Sequence, residues 1–208
     1  MSKFKRYWAK QFARPTGFGG KIAVFIMNRM NKTMYRAVER RAPDRGEILD
    51  IGCGNGYLLQ QLRKKTNAVL YGTDISKDML TAAKKRNAAA VKSGWLKLKN
   101  APADNLPFAD GQFDMICTVN TVYFWPDLKA GLLEIFAKLK SGGEFLNVVY
   151  AKEWLDKLSY TRYGFAKYAP EELITAAEQC GFAAEYVPIE PGKSYMIRSV
   201  KKTENFFN

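Results

Sequence analysis

The sequence predicts an α/β protein: a seven-stranded, mostly parallel sheet with an antiparallel last strand and helices on both faces. Three observations point there. Short apolar runs suited to buried strands alternate with segments of helical periodicity through most of the chain. The first strand-to-helix join, "ILDIGCGNGYLL" at residues 48–59, places glycine at positions 52, 54 and 56, although glycine is unfavourable inside either element. Finally, the last two strand-like runs have no helix between them, so they form a hairpin and the final strand opposes the rest.

In chain order, "GEILDI" reads as a short buried strand and "GYLLQQLRKK" as the following helix, with Leu58, Leu59 and Leu62 at helical spacing. "NAVLYGTDI" is the second strand. "SKDMLTAAKKRNA" is the second helix, with Ser76 as its N-cap and Asp78 in its first turn. "GWLKLKNA" alternates as a third strand, "DNLPFADGQ" is a turn-rich loop, and "FDMICTVN" is a fourth strand buried on both faces. "DLKAGLLEIFAKLK" sets Leu128, Leu132, Phe136 and Leu139 on one helical face and stops at "SGG". "GGEFLNVVY" is the fifth strand. "APEELITAAEQCGF" is a helix with Pro170 at its first position, Glu171 and Glu172 in its first turn and Gly181 as its stop. "FAAEYVPI" and "SYMIRSV" close the sheet. In such sheets the ligand lies beyond the carboxyl ends of the strands, which is where the glycines fall.

Composition narrows the chemistry. The 208 residues are 47% hydrophobic and 25% charged, enough for one well-buried domain. No apolar run approaches a bilayer span and no signal peptide is recognised. Cys53, Cys117 and Cys180 are far apart and lack metal-ligand spacing, so free thiols in a cytoplasmic protein with no metal site are expected. There is no histidine, which removes Ser-His-Asp hydrolysis and histidine-ligated metals. Any proton transfer must therefore use a carboxylate, tyrosine, lysine, thiol, backbone group or water. The net charge of +13 is uneven: residues 1–45 hold 12 Lys/Arg against Glu39 and Asp44, so ten of the net charges fall there.

A glycine-rich turn lets backbone approach a ligand closely beneath a helix N-terminus. The stretch lacks the lysine and spacing of a P-loop. It also departs from the dinucleotide pattern G-x-G-x-x-G, because the third glycine comes one position early and Tyr57 stands where that pattern needs glycine. The spacing, with Asp50 two residues before Gly52, resembles the class I S-adenosylmethionine-dependent methyltransferases. So do "YGTDIS" after the first helix, "NLPFADGQFDMI", which is similar to the family's "LPF-x-DG-x-FD", and "KLKSGGEF", similar to its "LKPGG-x-F" with serine replacing proline. These stretches cover roughly residues 46–150.

The resemblance implies a Rossmann-like fold, S-adenosyl-L-methionine as cofactor and S-adenosyl-L-homocysteine as product. It implies that Asp50, Gly52, Gly54 and Gly56 hold the methionine end and the ribose. Asp74, with Ile75 beside it, would take the ribose hydroxyls, although an acid there also suits a cap for the next helix. Family members often carry an acid for the adenine amino group where this chain has Pro102. The backbone N–H of Ala103 is then the expected adenine contact, and Asp104 either replaces the acid or is a solvated loop residue. Val119 and Asn120 would pass under the sulfonium and face the acceptor, though Asn120 also suits backbone capping at a strand end. Tyr123, Phe124 and Trp125 read as core and pocket wall. No catalytic residue is assigned: Tyr123, Tyr160 and Tyr163 are candidates for a base if the acceptor must lose a proton.

The expected division is a basic N-terminal helical segment, 1–45, acting as a lid over a cofactor-binding domain, 46–208. The expected acceptor is a small molecule reached by in-line displacement. Alternatives for the basic segment are RNA or another nucleic acid, or a membrane surface serving a lipid or quinone-like acceptor. The nucleic-acid reading is disfavoured because "VNTV" replaces the Asn/Asp-Pro-Pro-aromatic stretch of amino-methylating enzymes of bases. A non-catalytic S-adenosylmethionine-binding protein is the remaining class, and either a monomer or a homodimer is expected.

Overall fold

The computed structural model describes residues 26–162 and 164–202. Its organising element is the strand Glu47–Ile51 (β1), where Ile48, Leu49 and Ile51 are all buried although they alternate sides. Continuous apolar character is what a strand covered on both faces requires. β1 pairs in parallel with Val69–Asp74 (β2) on one side and Phe113–Val119 (β4) on the other. Leu96–Asn100 (β3) lies outside β2. Leu139–Tyr150 (β5) lies outside β4, followed by Ser194–Lys201 (β7) and, at the edge, Phe182–Glu190 (β6). The order is β3-β2-β1-β4-β5-β7-β6, and β7 is antiparallel to both its neighbours. The chain therefore leaves β1 toward one edge and β4 toward the other. The loops after them part at this switch point and leave a crevice between them.

Helices close both faces. On one, Leu58, Leu59 and Leu62 of Tyr57–Leu62 (α2) pack with Met34 and Val38 of Lys32–Glu39 (α1), and the Thr33 hydroxyl ties α1 to Glu190 of β6 at 2.7 Å. Lys77–Arg86 (α3) starts at Ser76, whose hydroxyl accepts from the Met79 N–H. On the other face, Leu132 and Ile135 of Leu128–Lys138 (α5) and Ala177 of Pro170–Gln179 (α7) pack on Phe113, Phe145 and Phe182. The side chain of Asp127 caps α5, and α7 opens with Pro170 while Glu172 accepts from the Ala169 N–H at 2.6 Å.

Several expectations are revised. α2 ends at Leu62, where the backbone tightens into turns with the Lys64 and Lys65 N–H groups donating to the Gln61 and Leu62 carbonyls, and the Arg63 guanidinium donates to the carbonyls of Thr66 and Ala68. A short helix, Ala88–Lys92 (α4), follows α3. The stretch "SGG" does not stop α5; it lies inside β5, where Leu139 is already extended and pairs with Phe113. A register shift between Phe113 and Met115 accommodates it, with Gly142 left-handed at φ 75°. Lys152–Lys157 (α6) gives no periodic signal because it buries only Leu155. Among the described residues no helix is long and apolar enough to cross a membrane, and all three cysteines are free and buried.

Candidate active site

After β1 the backbone passes through left-handed conformations at Gly52, Gly54 and Gly56, with φ of 70°, 53° and 72°. The same dihedral serves two purposes. A Cβ on Gly52 would lie 2.4 Å from the Thr121 side chain, and one on Gly56 would lie 2.6 Å from that of Asn87, whose amide also donates to the Gly56 carbonyl at 3.0 Å. Both glycines therefore let protein pack on protein. Among the described residues a Cβ on Gly54 would meet nothing within 4 Å, and this glycine borders a cleft. The turn is pinned from β2, where the Thr73 carbonyl accepts from the Cys53 N–H and Asp74 Oδ2 accepts from the Gly54 N–H, both at 2.9 Å. Asp74 Oδ1 accepts from the Ser76 N–H at 2.8 Å, so one carboxylate fixes the glycine turn and the start of α3 together.

The cleft above this turn measures about 260 Å³, near the lower end of small-molecule sites at ~300 Å³. Asp50, Gly52, Gly54, Asp74, Ile75, Ala103, Val119 and Asn120 border it, as does Pro102. Gly56 and Asp104 do not. Gly56 is turned against Ala83 and Asn87, and the Asp104 side chain is exposed to solvent one residue beyond the wall. Of the two readings of Asp104, its exposure favours the solvated loop acid over the adenine contact. Residues that the sequence did not reveal come from the N-terminal segment, Met27, Asn28, Asn31 and Tyr35, and from the turn after β4, Thr121. Spacing gives no signal for the asparagines; the Thr121 contact is hidden because its partner Gly52 lies on a different strand end.

Electrostatics limits what fits. Asp50 is almost fully buried and its carboxyl is pushed up to about 8, first by burial and then by the nearby charge of Asp74, with the Cys117 thiol pulling the other way. Burial also raises Asp74, opposed by the Ser76 and Gly54 N–H groups. Two carboxyls face the cleft, and among the described residues no lysine or arginine borders it. Such a cleft disfavours a pyrophosphate and suits a ligand with positive charge and hydroxyl donors. S-adenosyl-L-methionine, with its sulfonium, ammonium and ribose diol, fits that donor set. Ile75, 53% exposed, offers an apolar wall beside Asp74.

The far wall is built around Asn120, the only non-glycine with positive φ (59°) among the described residues. Its Nδ2 donates to Asn31 Oδ1 at 3.0 Å, and its Oδ1 accepts from the Tyr123 hydroxyl at 2.9 Å and the Tyr150 N–H at 3.2 Å. The Tyr150 hydroxyl also donates to Asn31 Oδ1. These bonds hold a backbone conformation that costs about 1–3 kcal/mol when unsupported, and they join the N-terminal segment to the ends of β4 and β5. Beyond this wall lies a second pocket of about 50 Å³, bordered by Asn31 and Asn120 and by Met27 and Phe124, all of which also border the cleft. Of the candidate bases, Tyr123 borders this pocket and its hydroxyl is bonded to Asn120. The Tyr160 side chain and all of Tyr163 lie outside the described residues.

Residues 49–147 match a family model described as a methyltransferase domain. The uncharacterised methyltransferase YdaC of Bacillus subtilis is 32% identical over 126 residues, covering 59% of this chain and 67% of that protein. The ubiquinone/menaquinone biosynthesis C-methyltransferase UbiE of Geotalea daltonii is 32% identical over 100 residues, covering 47% of this chain; the match spans only 43% of that relative's length. In structure, a chain from the complex of the Haloferax volcanii Trm112 methyltransferase activator with a methyltransferase superposes at TM-score 0.76 and 20% identity, covering 97% of this chain and 99% of its own. An S-adenosylmethionine-dependent methyltransferase from Mesorhizobium loti superposes at 0.67 and 17%, covering 81% and 97%. With the acid-lined glycine cleft and the strand order described above, these matches show that the chain belongs to the class I, Rossmann-like methyltransferase domain family, whose cofactor is S-adenosyl-L-methionine.

Proposed function

We propose that this chain transfers a methyl group from S-adenosyl-L-methionine to a small-molecule acceptor. The observation that carries the reading is the shared wall. The cleft that suits the cofactor and a second, apolar pocket meet at Asn31 and Asn120. A methyl group poised at that boundary would face a partner seated beyond it.

When bound, the cofactor supplies a methyl already activated by a sulfonium. The chain's part is positioning and exclusion of water. Asp50 and Asp74 would hold the cationic and hydroxyl ends, and the open face of Gly54 would allow close backbone approach. Ile75 and the Ala103 backbone would flank the base, and Val119 with Asn120 would line the transfer path. The Tyr123 hydroxyl donates to Asn120 and accepts from the Tyr150 N–H at 2.6 Å, which supports a role in holding the Asn120 wall over one in removing a proton. Met27, Asn28, Asn31 and Tyr35 border the cleft, which favours residues 1–45 as a lid over a domain formed by 46–208; residues 1–25 of that segment lie outside the described ones.

The test is incubation with methyl-tritiated S-adenosyl-L-methionine and three acceptor sources: a pool of small neutral metabolites, total RNA, and phospholipid vesicles carrying quinones. Label in the small-molecule fraction is expected. Label only in RNA would overturn the small-molecule reading, and no label from any source while S-adenosyl-L-homocysteine binds would favour a non-catalytic binding protein.

A further inference from the structure

The second pocket has a chemistry of its own. Three rings form its floor and side: Phe124 and Phe165 meet edge to face at 4.6 Å between centroids, and Tyr123 stands 5.8 Å from Phe165. Met27 and Met30 border it from the N-terminal segment, and methionine side chains adapt to ring surfaces. Its polar groups are neutral amides and hydroxyls, and among the described residues none that borders it is charged. The Thr161 hydroxyl is already committed to the Leu158 carbonyl at 2.9 Å. A charged group entering this space would give up its water with no counter-ion among the described residues to receive it, whereas an aromatic group would find edge and face contacts. The volume, about 50 Å³, suits part of a ring system rather than a whole ligand.

We infer that the acceptor presents an uncharged aromatic ring to this pocket, with Phe165 as a specificity-determining residue that borders the pocket and not the cleft. This rests on the proposed function, since it takes the second pocket as the acceptor's seat. The ring lies past Asn120, so the atom to be methylated sits at its near edge.

The experiment uses the full chain saturated with S-adenosyl-L-homocysteine. Five probes of similar size are compared by saturation-transfer NMR and by their effect on thermal denaturation: phenol, indole, cyclohexanol, benzoate and benzylammonium. Phenol and indole are expected to bind, cyclohexanol more weakly, and the two ions at least about tenfold more weakly than phenol, the smallest ratio an unpaired buried charge would impose. Phe165→Ala is expected to weaken phenol at least about fivefold, with binding of S-adenosyl-L-homocysteine by the same sample reporting that the variant is folded. If that variant loses its fold, the five-probe ranking on the native chain decides alone. Binding of S-adenosyl-L-homocysteine with no preference for neutral rings would overturn the inference and leave the cofactor reading standing. Failure to bind S-adenosyl-L-homocysteine at all would overturn the reading of the cleft, and this inference with it.

Discussion

Gly54→Ala separates a glycine needed for a turn from one needed for a ligand. At φ 53° an alanine bears a left-handed penalty of about 1–2 kcal/mol. Its methyl meets nothing within 4 Å among the described residues, so no clash with them is added. For a chain of this size that is a fall in Tm of roughly 2–8 °C. The methyl projects into the cleft from a backbone whose N–H is held by Asp74, so a bound adenosyl group must move away from it. A loss of at least about tenfold in affinity for S-adenosyl-L-homocysteine is expected, or ~1.4 kcal/mol. Gly52→Ala is the comparison. It bears similar strain at φ 70° and also drives its Cβ to 2.4 Å from Thr121, which adds about 1–3 kcal/mol of overpacking. Thermal denaturation and calorimetry on both variants read the two effects. Native-like binding by Gly54→Ala, or destabilisation as large as that of Gly52→Ala, would refute this role for Gly54.

Asp74→Asn keeps the shape but replaces one acceptor oxygen with an amide that faces a backbone N–H, so S-adenosyl-L-homocysteine affinity should fall by about 1–3 kcal/mol in calorimetry. Asp50 gives a pH signature. Its folded-state value of about 8 stands above the unfolded one of 3.8, so the folded protein holds the extra proton between them. Its contribution to stability then falls as pH rises through that window, by up to about 1.4 kcal/mol per unit. Asp50→Asn should remove this share of the slope in urea unfolding measured between pH 5 and 8, leaving the part that the raised Asp74 carboxyl contributes. A cationic ligand favours the ionised carboxyl, so affinity should rise toward pH 8 with proton release, read by calorimetry in buffers of different ionisation heat, and Asp50→Asn should remove that dependence. Asn120→Gly keeps the left-handed backbone without strain but deletes its side-chain bonds. It should cost about 1–3 kcal/mol in urea unfolding, and Asn120→Ala about 1 kcal/mol more.

The strands were legible because burial on both faces leaves near-continuous apolar runs, as in Ile48 to Ile51 and Met115 to Val119, whereas their order in the sheet came only from the pairing. The left-handed turn was legible too: glycine at 52, 54 and 56, between a strand and a helix, suits a backbone with positive φ and weakens either regular element. Which glycine faces the ligand was not legible. That depends on Thr121 and Asn87, which the fold brings to Gly52 and Gly56 from distant segments. The two readings of Asp104 could not be separated by spacing, which does not tell that Ala103 is buried at the cleft wall while the next side chain is in solvent. The asparagine wall was legible only in half. Asn120 stands at a strand end, where a polar residue is conspicuous, but Asn31 sits in a segment dominated by its charge, and only contact with Asn120 and Tyr150 gives it a role.

The most direct test of the account is calorimetric titration of the purified chain with S-adenosyl-L-methionine and S-adenosyl-L-homocysteine, with NADH and ATP as controls. Binding of both adenosyl ligands in the micromolar range, with no heat from NADH or ATP, is the expected result, because the cleft offers the Asp50 and Asp74 carboxyls and, among the described residues, no bordering cation to hold a phosphate. Binding of NADH or ATP in preference to them, or no binding of either adenosyl ligand, would contradict it.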